Sequence, residues 1–441
     1  PYLAAFNVIL MTDDGWHTVF FGKPYIYSLF AAPFAGLFGA NGLVGLNMLM
    51  LMGMVWLGTA YLSRFNAPPL AALYAVGFFV LSTTTAYVFW LHPEIFNMTC
   101  IAASLFLVLH RFDDGPAVGR GARLKQALLG PNMRVAWSGA VLALAVYNKP
   151  MLVAMALPSL FVLWRRREWT KIGLWVLAAG LAIVMVAGVA ILFTGHPSAY
   201  LGVERMGVPV FDPQQMPIEP VERIPEAEGP TTNSWTWLAR IPDVDWGDLG
   251  THLGYFFWGR HTGLLTYMPF AVLSVVLFLV YSRRSAVRWL VLLSITSVAL
   301  FFLIWIPFNW HGGGGFIGNR YFVNVYPAFL FLVTRVHPAW LTAVGYALAG
   351  FLLGPILFTP FGAPVPEPTL QAHVRNVPTR WFPLELEFRQ KLPGYHGTGM
   401  SGAYFYGRKD AFKPTNDDIL IHGAMPVELW MITYEPLSVG C

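Results

Sequence analysis

The placement of charge between apolar segments limits this chain more than any other feature. About ten long apolar spans run through it, at 41–65, 68–91, 94–111, 134–148, 150–164, 172–194, 264–282, 287–307, 321–336 and 340–358, and roughly 20 such residues make a helix that crosses a bilayer. The connections between the spans alternate in composition. One set carries Arg64, the basic stretch 111–134, Arg165-Arg166-Arg167, Arg283, Arg284, Arg288 and Arg335. The other set holds Asp13-Asp14, His92-Pro93-Glu94, the long segment 195–263, and Trp310-His311 followed by four glycines. Basic loops stay in the cytoplasm. The sequence therefore predicts an all-α polytopic membrane protein, with its chemistry-bearing residues on the exoplasmic side.

Composition agrees. Hydrophobic residues make up 56% and charged residues 12%, against roughly 25% charged in a soluble domain, and the mean hydropathy is +0.55. The 17 Trp and 18 Tyr suit interfacial belts. A net charge of +5 follows from the basic loops, so it implies no nucleic-acid partner. Cys100 and Cys441 alone can form no disulfide framework or zinc site. The apolar stretch 1–10 is too short to span a bilayer, and it implies one more transmembrane helix upstream of Pro1.

Along the chain, residues 1–360 read as one transmembrane domain, with 1–40 as a first outer loop and 195–263 as a large one. The segment 24–38, interrupted by Pro33 and Gly36, reads as an interfacial or re-entrant helix. The Pro- and acid-rich part of 195–263 up to Pro230 reads as irregular, and Trp246–Trp258 as an amphipathic helix at the interface. Beyond Phe358 the hydropathy falls and short alternating runs appear at 419–422 and 428–434. Residues 361–441 therefore read as a small β-rich exoplasmic segment that continues past Cys441. No internal repeat is visible.

Several residues could carry chemistry. Glu94 stands at the mouth of two spans, where an ionisable group is costly and marks function. It would equally suit a helix N-terminus opened by Pro93, and the two readings are compatible. Asp13-Asp14-Gly15-Trp16 reads as a solvated turn or as a pair of functional acids. Lys23, Lys149, Arg260 and Arg320 break the basic-inside pattern. Each can snorkel from an interface, but together they suit an anionic phosphate headgroup. The string from Asn309 through His311, Gly312-Gly313-Gly314-Gly315 and Asn319 to Arg320-Tyr321 reads as a ligand-facing loop whose amides can form an anion nest. It lacks the Lys-Ser/Thr of a nucleotide P-loop.

These strings, in this order, resemble the GT-C superfamily of polytopic glycosyltransferases, which includes protein O-mannosyltransferases and the lipid A aminoarabinose transferase. Asp14-Gly15-Trp16, Gly22-Lys23-Pro24 and Leu37-Phe38-Gly39-Ala40-Asn41 are similar to that family's first outer loop and the start of its second helix. His92-Pro93-Glu94 matches a second acidic position, and Asn319-Arg320-Tyr321 with Pro327 matches a late helix. The family's principal acid, early in its first outer loop, would fall just before Pro1, which leaves Asp13 and Asp14 as weaker substitutes for the base.

The resemblance implies sugar transfer from a polyprenyl-phosphate donor to a lipid, glycan or protein acceptor at the outer face. Lys23, Lys149, Arg260, Arg320, Tyr321 and His311 would hold the donor phosphate. Glu94, with Asp13 and Asp14, would serve the acceptor side. Some relatives use Mg²⁺ or Mn²⁺, for which His92 and Glu94 are the candidate ligands. Two other classes stay open: a transporter or flippase of lipid-linked or anionic substrates, and a catalytically inactive structural subunit of a membrane complex.

Overall fold

Prolines and buried polar contacts cut the apolar spans into shorter pieces. The structure, a computed structural model, describes residues 6–12, 20–21, 23–89, 93–112, 128–200, 204–210, 246–260, 262–282, 284–307, 310–312, 318–358 and 382–383. These residues are mostly helical. Three helices are long and apolar enough to cross a membrane, at Asn41–Leu62, Trp169–Thr194 and Ala286–Trp305. The remaining expected spans appear as shorter helices, and the sequence explains the breaks. Pro68, Pro131, Pro150 and Pro269 each stand in the first turn of a helical segment, where a missing N–H is tolerated and the preceding residue is driven out of the helix.

The chain divides into two compact units, one of residues 1–24, 190–244 and 384–441, the other of residues 25–189 and 245–383. In the first unit, strands β1 (Phe6–Thr12), β2 (Phe20–Phe21) and β3 (Glu204–Val210) form an antiparallel sheet in the order β2-β1-β3. The register runs from Phe6 opposite Val210 to Thr12 opposite Glu204. Part of the segment expected to be irregular is thus a strand, because its partner lies almost 200 residues earlier and supplies the backbone hydrogen bonds (204 − 12 = 192). Asp13, Asp14 and His92, and the expected β-rich segment 361–441 apart from 382–383, lie outside the described residues.

The second unit holds the helices. In chain order they are α1 (Ile26–Phe38), α2 (Ala40–Leu62), α3 (Pro68–Val80), α4 (Thr84–Phe89), α5 (Glu94–Leu109), α6 (Pro131–Asn148), α7 (Ala156–Arg165) and α8 (Trp169–Thr194), whose last turn passes into the other unit. They continue with α9 (Trp246–Trp258), α10 (Leu264–Tyr267), α11 (Pro269–Val280), α12 (Ala286–Trp305) and α13 (Trp340–Phe358). The amphipathic segment Trp246–Trp258 is helical, as its pattern predicts.

At the centre lies a 3-10 helix, Phe322–Leu332, with every residue buried. It packs against α5, α11 and α12. Its length is unusual for a 3-10 helix, and its polar groups are tied to neighbouring elements. The Tyr326 ring stacks on Phe78 at 4.3 Å, and its hydroxyl donates to the Phe78 carbonyl. The Tyr61 hydroxyl donates to the Phe331 carbonyl at 3.1 Å. Past its last turn, Asn66 donates to the Thr334 carbonyl (3.0 Å) and accepts from the Val336 amide (2.8 Å). Ser282 accepts from the Thr334 amide at 3.0 Å. These contacts gather the α2–α3 turn and the end of α11 at one end of the unit, among the connections that carry Arg64, Arg284 and Arg335.

Around this centre the outward faces are apolar. Met52 and Trp56 on α2 and Leu181, Val184 and Met185 on α8 are exposed, as a lipid environment requires and water disfavours. Helix α8 closes on α6 at Gly139, where a Cβ would stand 2.3 Å from the Trp175 carbonyl oxygen. The Trp175 indole donates to the Ser138 hydroxyl at 3.2 Å on the same seam. Small residues allow such close helix approach in membranes. Gly139→Ala is therefore expected to destabilise the protein by about 1–3 kcal/mol through overpacking. Gly188→Ala, where nothing lies within 4 Å, should leave stability unchanged or slightly raised. Thermal midpoints of the two variants in detergent check the contrast.

Candidate functional site

Helices α5 and α6 are neighbours, and the start of one meets the end of the other. Glu94 opens α5 directly after Pro93. Lys149 closes α6, its amide donating to the Ala145 carbonyl at 2.8 Å. A carboxylate at a helix N-terminus and an ammonium at a C-terminus each favour their own helix dipole. Here they also meet each other, with Lys149 Nζ donating to Glu94 Oε1 at 2.9 Å.

Arg320 enters from the connection that precedes the central 3-10 helix. Its Nε lies 3.8 Å from the same Glu94 oxygen, a Coulombic contact longer than a hydrogen bond. The side chains are 3% exposed for Glu94, 13% for Lys149 and 17% for Arg320, so the carboxylate is buried and the cations reach towards the surface. Burial works against the Arg320 charge. The Glu94 carboxylate, with Tyr321 and Tyr87, outweighs it and raises the guanidinium pKa above its ordinary value. Among the described residues, one carboxylate thus faces two cations.

Aromatic and glycine residues shape the surroundings. Tyr321 stacks on Phe302 at 5.3 Å, and Lys149 Nζ and Arg320 Cζ lie 4.9 and 5.6 Å from its ring centre. The Arg320 amide donates to the His311 carbonyl at 3.0 Å. Gly312, with φ +89°, lets the loop pass there, since a Cβ would stand 2.9 Å from the Tyr321 nitrogen. Gly318, with φ +73°, does the same against Thr83 and Tyr267. Asn319 is also left-handed (φ +49°), and its side-chain oxygen accepts from the Phe322 amide at 3.1 Å. The glycine-rich segment is thus fastened at both described ends, with His311 buried behind Arg320.

Of the residues singled out from the sequence, the structure brings Glu94, Lys149, Arg320 and Tyr321 together, with His311 on the backbone behind them. Arg260 contacts a separate stretch of backbone. Its guanidinium donates to the Phe382 carbonyl (3.1 and 3.3 Å) and its amide to the Pro383 carbonyl (3.0 Å), while its own carbonyl accepts from the Tyr267 hydroxyl at 2.6 Å. Lys23 is an exposed residue of the sheet-bearing unit.

Sequence reasoning missed Tyr87, buried within electrostatic reach of Glu94 and Arg320, and the hydrogen-bonded amides Asn97, Asn148 and Asn324. Polar residues inside apolar spans were the available signal.

Chemically, the cluster is a buried carboxylate set against two cationic side chains. Among the described residues no group of three His, Cys, Asp or Glu could hold a metal, and His92 lies outside the described residues.

Removing one partner of a buried pair strands the other. Glu94→Gln and Lys149→Met should each destabilise the protein by about 2 kcal/mol, the partial exposure of Lys149 lowering the cost of a fully buried pair. The double variant should lose less than the sum, with a coupling of about 1 kcal/mol or more. Denaturation of the four proteins in one detergent measures this. Additive losses would show that the pair contributes nothing. Comparison of the chain with protein families, with characterised proteins and with solved structures gave no match.

Proposed function

We propose that this protein is an integral-membrane glycosyltransferase that moves a sugar from a polyprenyl-phosphate donor to a lipid, glycan or protein acceptor at the outer face of the inner membrane. The observation that carries the reading is the meeting of Lys149 and Arg320 at the Glu94 carboxylate, three of the residues that break the basic-inside pattern or sit beside it. In this reading the shorter apolar helices complete about ten crossings, α3 continuing into α4 and α10 into α11. Among the described residues the membrane-length helices carry charge only near their ends, such as Lys171 and Arg288. That favours chemistry at a membrane surface over transport through the midplane.

The proposed step balances simply. The acceptor oxygen bonds to the anomeric carbon, the bond from that carbon to the phosphate oxygen breaks, and the acceptor proton passes to a carboxylate. The leaving polyprenyl phosphate gains negative charge as it departs. Lys149 and Arg320 supply fixed positive charge where that develops, and both lie near the Tyr321 ring. Glu94 is a poor base while an ammonium donates to it at 2.9 Å and a guanidinium lies beside it. Its role is to hold the two cations, and proton removal falls to another carboxylate.

Membranes containing the full-length protein, supplied with candidate lipid-phosphate sugars, test the reading through sugar transfer. Lys149→Gln and Arg320→Gln should each lower turnover about 100-fold, the scale of losing one preorganised charge donor. Glu94→Gln should lower it too by loosening both cations. Arg335→Gln, an exposed residue at the Asn66 end, should change nothing. Full turnover in both cation variants would remove the phosphate role from Lys149 and Arg320.

A further inference from the structure

Just below the charged cluster lies a chain of three buried amides whose direction is fixed by chemistry. Asn324 Nδ2 donates to the Tyr321 carbonyl at 2.8 Å and to the Arg320 carbonyl at 3.2 Å. Carbonyls only accept, so Asn324 must point its Oδ1 the other way. Asn97 Nδ2 donates to that oxygen at 2.7 Å. This in turn leaves Asn97 Oδ1 to accept from Asn148 Nδ2, at 2.8 Å. Asn97 and Asn324 are wholly buried and Asn148 nearly so.

Each amide lies within about one turn of a charged group along the chain. Asn97 is one turn into α5 from Glu94, Asn148 directly precedes Lys149, and Asn324 lies one turn after Arg320. A flexible ion pair alone would leave α5, α6 and the 3-10 helix free to slide against one another. The amide chain removes that freedom, because a shift of any element breaks a bond that no water in an apolar bundle replaces. It also holds the carbonyl of Arg320, whose amide is held by His311.

We infer that Asn97, Asn148 and Asn324 are positioning residues, which set the spacing at which Lys149 and Arg320 meet an anionic headgroup. That the headgroup is a polyprenyl phosphate rests on the function proposed above; the positioning does not. The same α5–α6 seam offers an internal control. Ser104 and Ser138 share a hydrogen bond at 3.0 Å, equally buried and tied to no charged residue.

The test uses the full chain in lipid nanodiscs with two readouts. One is the rate at which an amine-reactive reagent labels Lys149, followed by mass spectrometry across a pH series. The other is binding of farnesyl phosphate. Asn97→Leu should raise Lys149 labelling towards the rate seen in Glu94→Gln and weaken farnesyl phosphate binding about tenfold, the scale of coupling within one hydrogen-bond network. Ser104→Ala should leave both readouts at their original values even where it lowers the thermal midpoint. If Asn97→Leu does not fold, Asn148→Ala, which removes the outermost bond of the chain, carries the same expectation on a smaller scale.

Unchanged labelling in the asparagine variants would overturn the inference, as would an equal rise in Ser104→Ala. If labelling responds as expected but the original protein binds no farnesyl phosphate, the positioning role stands and the donor reading fails.

Discussion

A carboxylate withdrawn from water at the end of a helical bundle persists only with compensation, and for Glu94 that compensation comes from two separate elements. Lys149 arrives on the end of α6 and Arg320 on the approach to the central 3-10 helix. The desolvation cost of all three charges ties the geometry of this end together, since moving one element strands the charges on the others. Helix dipoles favour both Glu94 and Lys149 in place, and the asparagine chain below converts attraction into register.

The opposite end is closed largely by neutral groups. Asn66, Ser282 and the backbone of Thr334 and Val336 close it with hydrogen bonds, while Arg284 donates to the Leu279 carbonyl. The central 3-10 helix runs between these ends, with Asn324 near its start and the Asn66 contacts just past its last turn. A segment wholly enclosed by other helices, carrying aromatic and branched residues throughout, is held by packing and by Tyr61 and Tyr326 contacts. Its buried position explains how Arg320, a loop residue, can be fixed as firmly as a residue within a helix.

Much of this was legible in the sequence. The alternation of basic and non-basic connections put Glu94, Lys149 and Arg320 on one side, and the structure joins them. Pro93 announced the start of α5. Other features depend on partners that local sequence does not reveal. Nothing near Arg260 says that its guanidinium will clasp the carbonyl of Phe382, 122 residues away. The apolar run 322–332 has no period that distinguishes a 3-10 helix from an α-helix. The strand Glu204–Val210 acquires its identity from pairing with Phe6–Thr12. Asn97 and Asn324 could have been noticed as amides in apolar spans, but which amide faces which is a tertiary fact.

The central claim is that the carboxylate-held cations form a seat for a lipid phosphate. A cryo-electron microscopy structure of the full chain in a nanodisc with a bound short polyprenyl phosphate tests it most directly. The account predicts phosphate oxygens about 3 Å from Lys149 Nζ and the Arg320 guanidinium, with Glu94 still paired beneath them. A phosphate bound elsewhere, with Lys149 and Arg320 still turned to Glu94 alone, would contradict it.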